Sequence, residues 1–177
     1  MKQWMKRYRL FLILAAVNLV VLAARPETGV RALSLTGENL LEMLTFLPPI
    51  FVLLGLLDVW VEREAMMKYM GAGSGLRGTA LAFLLGSAAA GPLYAAFPVA
   101  VVLLKKGAGL FQVFVFVGAW SATKIPPLLF EISSLGLSFA AVRLALNLLG
   151  IPLIALVLTK SLSDEEHRDI YRRAEEQ

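Results

Sequence analysis

The feature that most constrains this chain is a stretch of 26 residues, Thr79 to Leu104, without a charged side chain. At about 1.5 Å per helical residue it would extend close to 39 Å, more than the roughly 30 Å hydrocarbon core of a bilayer. Residues 10–24, 39–61, 109–131 and 139–159 form further apolar runs in a chain of 177 residues. Charged residues make up 17% of the chain, against roughly 25% in soluble domains. A chain this apolar cannot stay solvated, which excludes disorder and makes the bilayer its expected solvent. The pattern predicts an all-α integral membrane protein with four or five transmembrane helices, including two discontinuous (broken or re-entrant) segments. A membrane domain would cover 1–160, and a soluble C-terminal helical tail 161–177.

The net charge of +4 is distributed as in a membrane protein. Lys2, Lys6, Arg7 and Arg9 precede the first run, Lys105 and Lys106 separate two others, and Arg172 and Arg173 lie in the tail. Basic residues concentrate on the cytoplasmic side, so a multi-pass protein of the cell membrane with a cytoplasmic N-terminus is expected. Nucleic-acid binding is not expected, because no soluble element gathers these residues with interleaved aromatics. The first run has the grammar of a signal peptide, yet a second spanning run follows, which reads it as an uncleaved anchor. In the tail, Ser163 and Glu166 have capping-box spacing, and Asp164 with Arg168 and Asp169 with Arg173 are residues of opposite sign at i,i+4 spacing. The chain has no cysteine and one histidine, His167, so no metal site and no cofactor are expected. No Ser/His, His/Glu or paired-Asp arrangement lies at matching depth, so the chain does not read as an enzyme.

Helix breakers punctuate the apolar runs. Pro48 and Pro49 remove two backbone donors from the second run and should kink or open it. The polar connection 62–78 reads as a short interfacial helix and a hinge. There Met66, Met67, Tyr69 and Met70 either face the membrane or pack as a loop. Residues 79–104 are interrupted at Gly86, Gly91, Pro92 and Pro98. Two readings stay open: one tilted, broken crossing, or a re-entrant hairpin turning near Gly91 and Pro92. The hairpin keeps Lys105 and Lys106 inside and returns the tail to the cytoplasm; the single crossing puts the tail outside. The run 109–131 is broken again over 121–127.

Charges within such runs cost on the order of 2.5–3.5 kcal/mol and need a reason. Glu42 and Asp58 lie near helix ends and can reach headgroups. Glu131 and Arg143 flank the connection 133–138 at similar distances, which predicts a structural ion pair. Lys124 is roughly 22 Å into its run by the helical rise, too deep to reach the near surface easily. It sits within a break, beside Ser121 and Thr123, and unwound backbone at membrane depth is how transporters build solute sites. The candidate substrate-binding residues are Lys124, Ser121, Thr123, Tyr94, Gly91 and Pro92. The alternative is structural: Lys124 could pair with Glu131, two turns along a continuous helix.

Four segments carry a family resemblance: LLGLLDVWV at 53–61, GPLYAAFP at 91–98, LLKKG at 103–107, and GAWSATKIP at 118–126 with Glu131. Together they resemble the bacterial and archaeal predicted permeases, a family that includes the organoarsenical efflux permeases, over about residues 40–158. The resemblance implies a multi-pass permease with helix breaks at Gly91–Pro92 and 124–127. Longer members look like two related halves, so this chain resembles a half-size member that would pair with itself as a parallel homodimer in the lipid bilayer. The arsenical permeases carry cysteines near the first break and this chain has none, which argues against thiolate-bound arsenic. The function expected is a half-size permease moving a small polar or anionic solute through a site formed by the two breaks. The rival expectation is a non-transporting subunit or assembly factor whose tail docks a cytoplasmic partner.

Overall fold

The computed structural model describes residues 8–89 and 91–176, without the side chains of residues 46, 47, 54, 57 and 58. The basic residues Lys2, Lys6 and Arg7, and the side chain of Asp58, lie outside the described residues. All secondary structure among the described residues is helical. Contacts divide the chain at Pro49–Ile50 into two units.

The first unit is a helical hairpin. Helix α1 (Arg9–Ala24) is apolar on every side and buries none of its residues, the signature of a helix surrounded by lipid or protein rather than water. Helix α2 (Pro26–Trp60) begins immediately afterwards, with Pro26 at its first position, where the missing N–H costs nothing. The turn is tight: a Cβ on Gly29 would lie 2.4 Å from Leu22 Cα. Helix α2 starts well before residue 39, where the apolar run begins. Its first turns have their own supports, a Ser34–Glu38 hydrogen bond of 3.1 Å and a Thr36 hydroxyl donating to Ala32 O at 2.8 Å. The helix also runs unopened through Pro48 and Pro49, so the expected opening does not occur.

The second unit holds the core. Helix α3 (Arg63–Met70) buries Met66 and Met70, one face at i,i+4 spacing, and leaves Met67 and Tyr69 exposed. A turn over 71–74 leads into α4 (Gly75–Ala88), and a short 3-10 turn (Leu93–Ala95) into α5 (Ala96–Lys105). The chain reverses between α4 and α5. After α5, Gly109 N–H donates to Met70 O at 2.8 Å, and Gln112 Nε2 to Ser74 Oγ at 3.0 Å, both at the start of α4. Helix α6 (Leu110–Ala122) then runs parallel to α4. The two approach closely where a Cβ on Gly86 would meet Phe116 O at 2.5 Å. Ala82, Ala96 and Ala119 are fully buried, and such small residues let helix backbones approach.

Helix α7 (Ile125–Leu135) continues α6 after a bend of 41°. Helix α8 (Leu137–Ser161) returns antiparallel to this pair, with Ile151 against Gly118. Among the described residues, α8 is long and apolar enough to cross a membrane by itself, and the bent α6–α7 pair qualifies if taken as one span. Helix α7 buries none of its side chains and α8 buries only Ala140, Ile151 and Ala155. The tail helix α9 (Asp164–Glu175) opens with the capping box and folds back on α5. Its Tyr171 hydroxyl donates to Ala108 O at 2.9 Å, and Ala174 is buried. One end of this unit therefore gathers α3, the turn 71–74, the loop 106–109 and α9; the two helix breaks lie at the far ends of α4 and α6.

Candidate solute site at two facing helix breaks

Each break follows from local chemistry. Helix α4 ends at Ala88, with Ala89 extended and Gly91 at φ 104, a left-handed conformation that a side chain disfavours. Pro92 then lacks an N–H with which to continue the helix. At the second break Thr123 leaves helical geometry and Lys124 is extended (φ −59, ψ 139). Pro126 and Pro127 fall in the first turn of α7, where backbone donors have no helical partner to lose.

The parallel packing of α4 and α6 brings the breaks face to face. The Lys124 ammonium donates to the Gly91 carbonyl oxygen, and Trp120 Nε1 donates to the same atom at 3.3 Å. Trp120 is 2% exposed, and an edge-on contact with Phe116 at 5.5 Å between ring centres holds its indole. Ser87 Oγ and Thr123 Oγ1 are 2.7 Å apart. The Thr123 proton goes to Ala119 O at 3.0 Å, so Ser87 is the donor in the hydroxyl pair. Beyond the second break, Arg143 reaches across from α8, pairing with Glu131 and donating to Ala122 O at 2.6 Å. Glu131 Oε2 is buried without a hydrogen-bond partner.

Among the described residues no carboxylate pairs with Lys124; its side chain is bound by a backbone carbonyl. The alternative pairing with Glu131 does not form, because the bend between α6 and α7 breaks the continuous face that the seven-residue spacing required. Lys124, Arg143 and Glu131 together leave one excess positive charge near the second break. Its depth follows from α6, whose 13 residues rise about 20 Å from the end that holds α9.

Gly91, Thr123 and Lys124 thus come together, with Pro92 next to them in the first break. Ser121 is exposed on α6, and Tyr94 is 38% exposed; neither side chain takes part in these hydrogen bonds. Ser121 and Thr123 are two residues apart, about 200° around a helix, so only one can face α4. Two contributors did not stand out as site residues in the sequence. Ser87 lies in a row of small residues, and Trp120 carries neither charge nor helix break to mark it.

No curated protein and no solved structure matches the chain. A family model described as predicted permease matches residues 30–177, which takes in both breaks, the Glu131–Arg143 pair and the tail. The chain belongs to the predicted permease family.

Proposed function

We propose that the protein is a half-size permease of the cell membrane that works as a parallel homodimer. It would move a small polar or anionic solute through a site made by the two helix breaks. The observation that carries this reading is Lys124: a cation about 20 Å into the unit, in a break, held by a backbone carbonyl rather than a carboxylate. A half-buried charge without a counter-charge is costly as pure structure, and unwound backbone at that depth is what a solute pathway uses. Family membership supports transport rather than catalysis.

The hairpin of α4 and α5 supports a re-entrant arrangement. Helix α4 has 14 residues, about 21 Å, too short to cross a core of about 30 Å, and α5 returns to the level where α4 began. Arg63, Lys68, Lys105 and Lys106 belong to that level, so the positive-inside rule makes it cytoplasmic and places α9 there as well. The exposed apolar residues of α7 and α8, including Leu129, Phe130, Leu146, Leu149 and Leu153, suit lipid or the second protomer. The rival reading, a non-transporting subunit, has less support because the inner face of its docking tail is already taken up by the body through Tyr171 and Ala174.

The test is flux of a solute panel (acetate, inorganic phosphate, methylphosphonate, glycine, glycerol) into proteoliposomes. Transport above that of empty vesicles is expected, with a loss of at least about tenfold in Lys124→Ala. Unchanged flux in the variant removes Lys124 from the mechanism, and no flux for any member of the panel overturns the permease reading. The cysteine-free chain also lets Lys105→Cys and Glu175→Cys be labelled individually in cells. Both should react only from the cytoplasmic side, and reaction only from outside sinks the proposed orientation.

A further inference from the structure

Two donors of different elements of chemistry converge on one oxygen at the breaks: the Lys124 ammonium and the Trp120 indole N–H both point at Gly91 O. We propose that this pair is the recognition site for one oxygen of a small oxyanion, and that the Gly91 carbonyl occupies it as an internal stand-in while the site is closed. The inference rests on the permease reading and names its substrate class: carboxylates, phosphonates and related oxyacids rather than cations or neutral solutes.

Three features carry it. First, both groups are donors only. An ammonium has three protons and an indole one, and neither can accept, so together they select an acceptor atom. The Lys124 side chain spends one hydrogen bond on Gly91 O and has further protons to give. Second, the charge balance favours an anion. Glu131 is paired with Arg143, so Lys124 supplies the uncompensated charge, and an oxyanion forms a stronger, charge-assisted bond than the neutral carbonyl it would displace. Third, the donors are prepositioned. Trp120 is 2% exposed and braced by Phe116, and the close approach of α4 to α6 at Gly86 fixes Gly91 opposite it.

Exchange of the carbonyl for the anion has a structural consequence. Gly91 O would lose both donors, and the hydrogen bond left between the first break and the second would be Ser87–Thr123. Binding and opening are then one event: the oxyanion takes the donors that keep the two breaks together. A glycine at this position allows the movement, since its backbone is free to leave φ 104 without steric penalty.

The experiment is binding to the full chain in nanodiscs, with Trp4→Phe and Trp60→Phe leaving Trp120 as the reporter among the three tryptophans. Acetate and methylphosphonate test planar and tetrahedral oxyanions, and tetramethylammonium and glycerol serve as cationic and neutral probes. At least one oxyanion should shift Trp120 emission saturably while the other two classes do not. Lys124→Gln should weaken that binding by roughly thirtyfold or more, and Lys124→Arg should retain most of it. Trp120→Phe, measured by calorimetry, should weaken it roughly fivefold to tenfold, the loss of one donor. Binding of tetramethylammonium or glycerol with oxyanions inert overturns the proposal, as does oxyanion binding unaffected by Lys124→Gln. Flux of glycerol into proteoliposomes above that of empty vesicles, with every oxyanion inert, would overturn the proposal and leave the permease reading standing. Oxyanion binding without flux of any panel member would uphold the donor pair and remove the permease reading.

Discussion

Replacing Gly86 with alanine adds one methyl group to the seam between α4 and α6. The new Cβ would lie 2.5 Å from Phe116 O, 2.8 Å from Ala119 Cβ and 2.9 Å from Trp120 N. Two of these atoms are backbone, so no change of rotamer relieves the clash, and the helices must separate by nearly a full ångström at this level. Overpacking of this kind costs about 1–3 kcal/mol. Alanine recovers roughly 0.5–1 kcal/mol of helix propensity over glycine, so a net loss of up to about 2.5 kcal/mol is expected. The same separation would stretch the 2.7 Å Ser87–Thr123 bond one residue further along. Two controls fix the interpretation. A Cβ on Gly150 meets nothing within 4 Å, so Gly150→Ala should stabilise by the propensity term alone, about 0.5 kcal/mol or more. A Cβ on Gly118 meets Ile151 Cγ2 at 2.7 Å, a side-chain methyl that can turn aside, so Gly118→Ala should fall between the two. Unfolding of the purified variants in one detergent, followed by tryptophan emission, gives the order. A Gly86→Ala protein as stable as Gly150→Ala would refute the close approach of α4 and α6, and with it the facing of the two breaks.

The tail gives two further tests, with opposite pH dependence. Hydrogen bonds from the Ser163 backbone N–H and hydroxyl hold the Glu166 carboxyl below its usual range. A depressed carboxyl stabilises the fold above its unfolded pKa, near 4.5, and that contribution is lost as the pH falls through the folded value. Amide protection across 164–175, corrected for the intrinsic exchange rate, should therefore fall on acidification, whereas Ser163→Ala should be weakly protected at neutral pH with a weaker acid response; identical profiles would discount the cap. Burial raises the Tyr171 phenol above its ordinary value of 10.0. A raised phenol stabilises below its unfolded pKa, and the contribution is lost as the pH rises through the folded value. Tyr171→Phe should cost about 1 kcal/mol through the lost bond to Ala108 O and abolish the alkaline release of α9, read as exchange at 105–110; an unchanged alkaline response would place the titrating group elsewhere.

The breaks were legible in the sequence because their causes are local: Gly91 before Pro92, and Lys124 shortly before Pro126 and Pro127. That they face each other was not, because the register of α4 against α6 rests on contacts distant in sequence, Gly86 with Phe116 and Ser74 with Gln112. For the same reason Ser121 and Thr123 looked equivalent until α6 acquired a buried face. The passage of α2 through Pro48 and Pro49 was not legible either. A proline removes one donor and crowds one carbonyl, and helical geometry on both sides can carry the chain through that local loss.

The bond between Tyr171 and Ala108 bears on the order of assembly during synthesis. Helix α9 follows every element it braces, so the ribosome has already released α4, α5 and the Lys124 region before the brace exists. Until then, the loop 106–109 is tied to the start of α4 through Gly109 and to Val61 through Lys106, but not yet covered by α9. A segment translated after both helices therefore closes a hairpin made before it, and the hairpin's final setting waits until α9 has emerged.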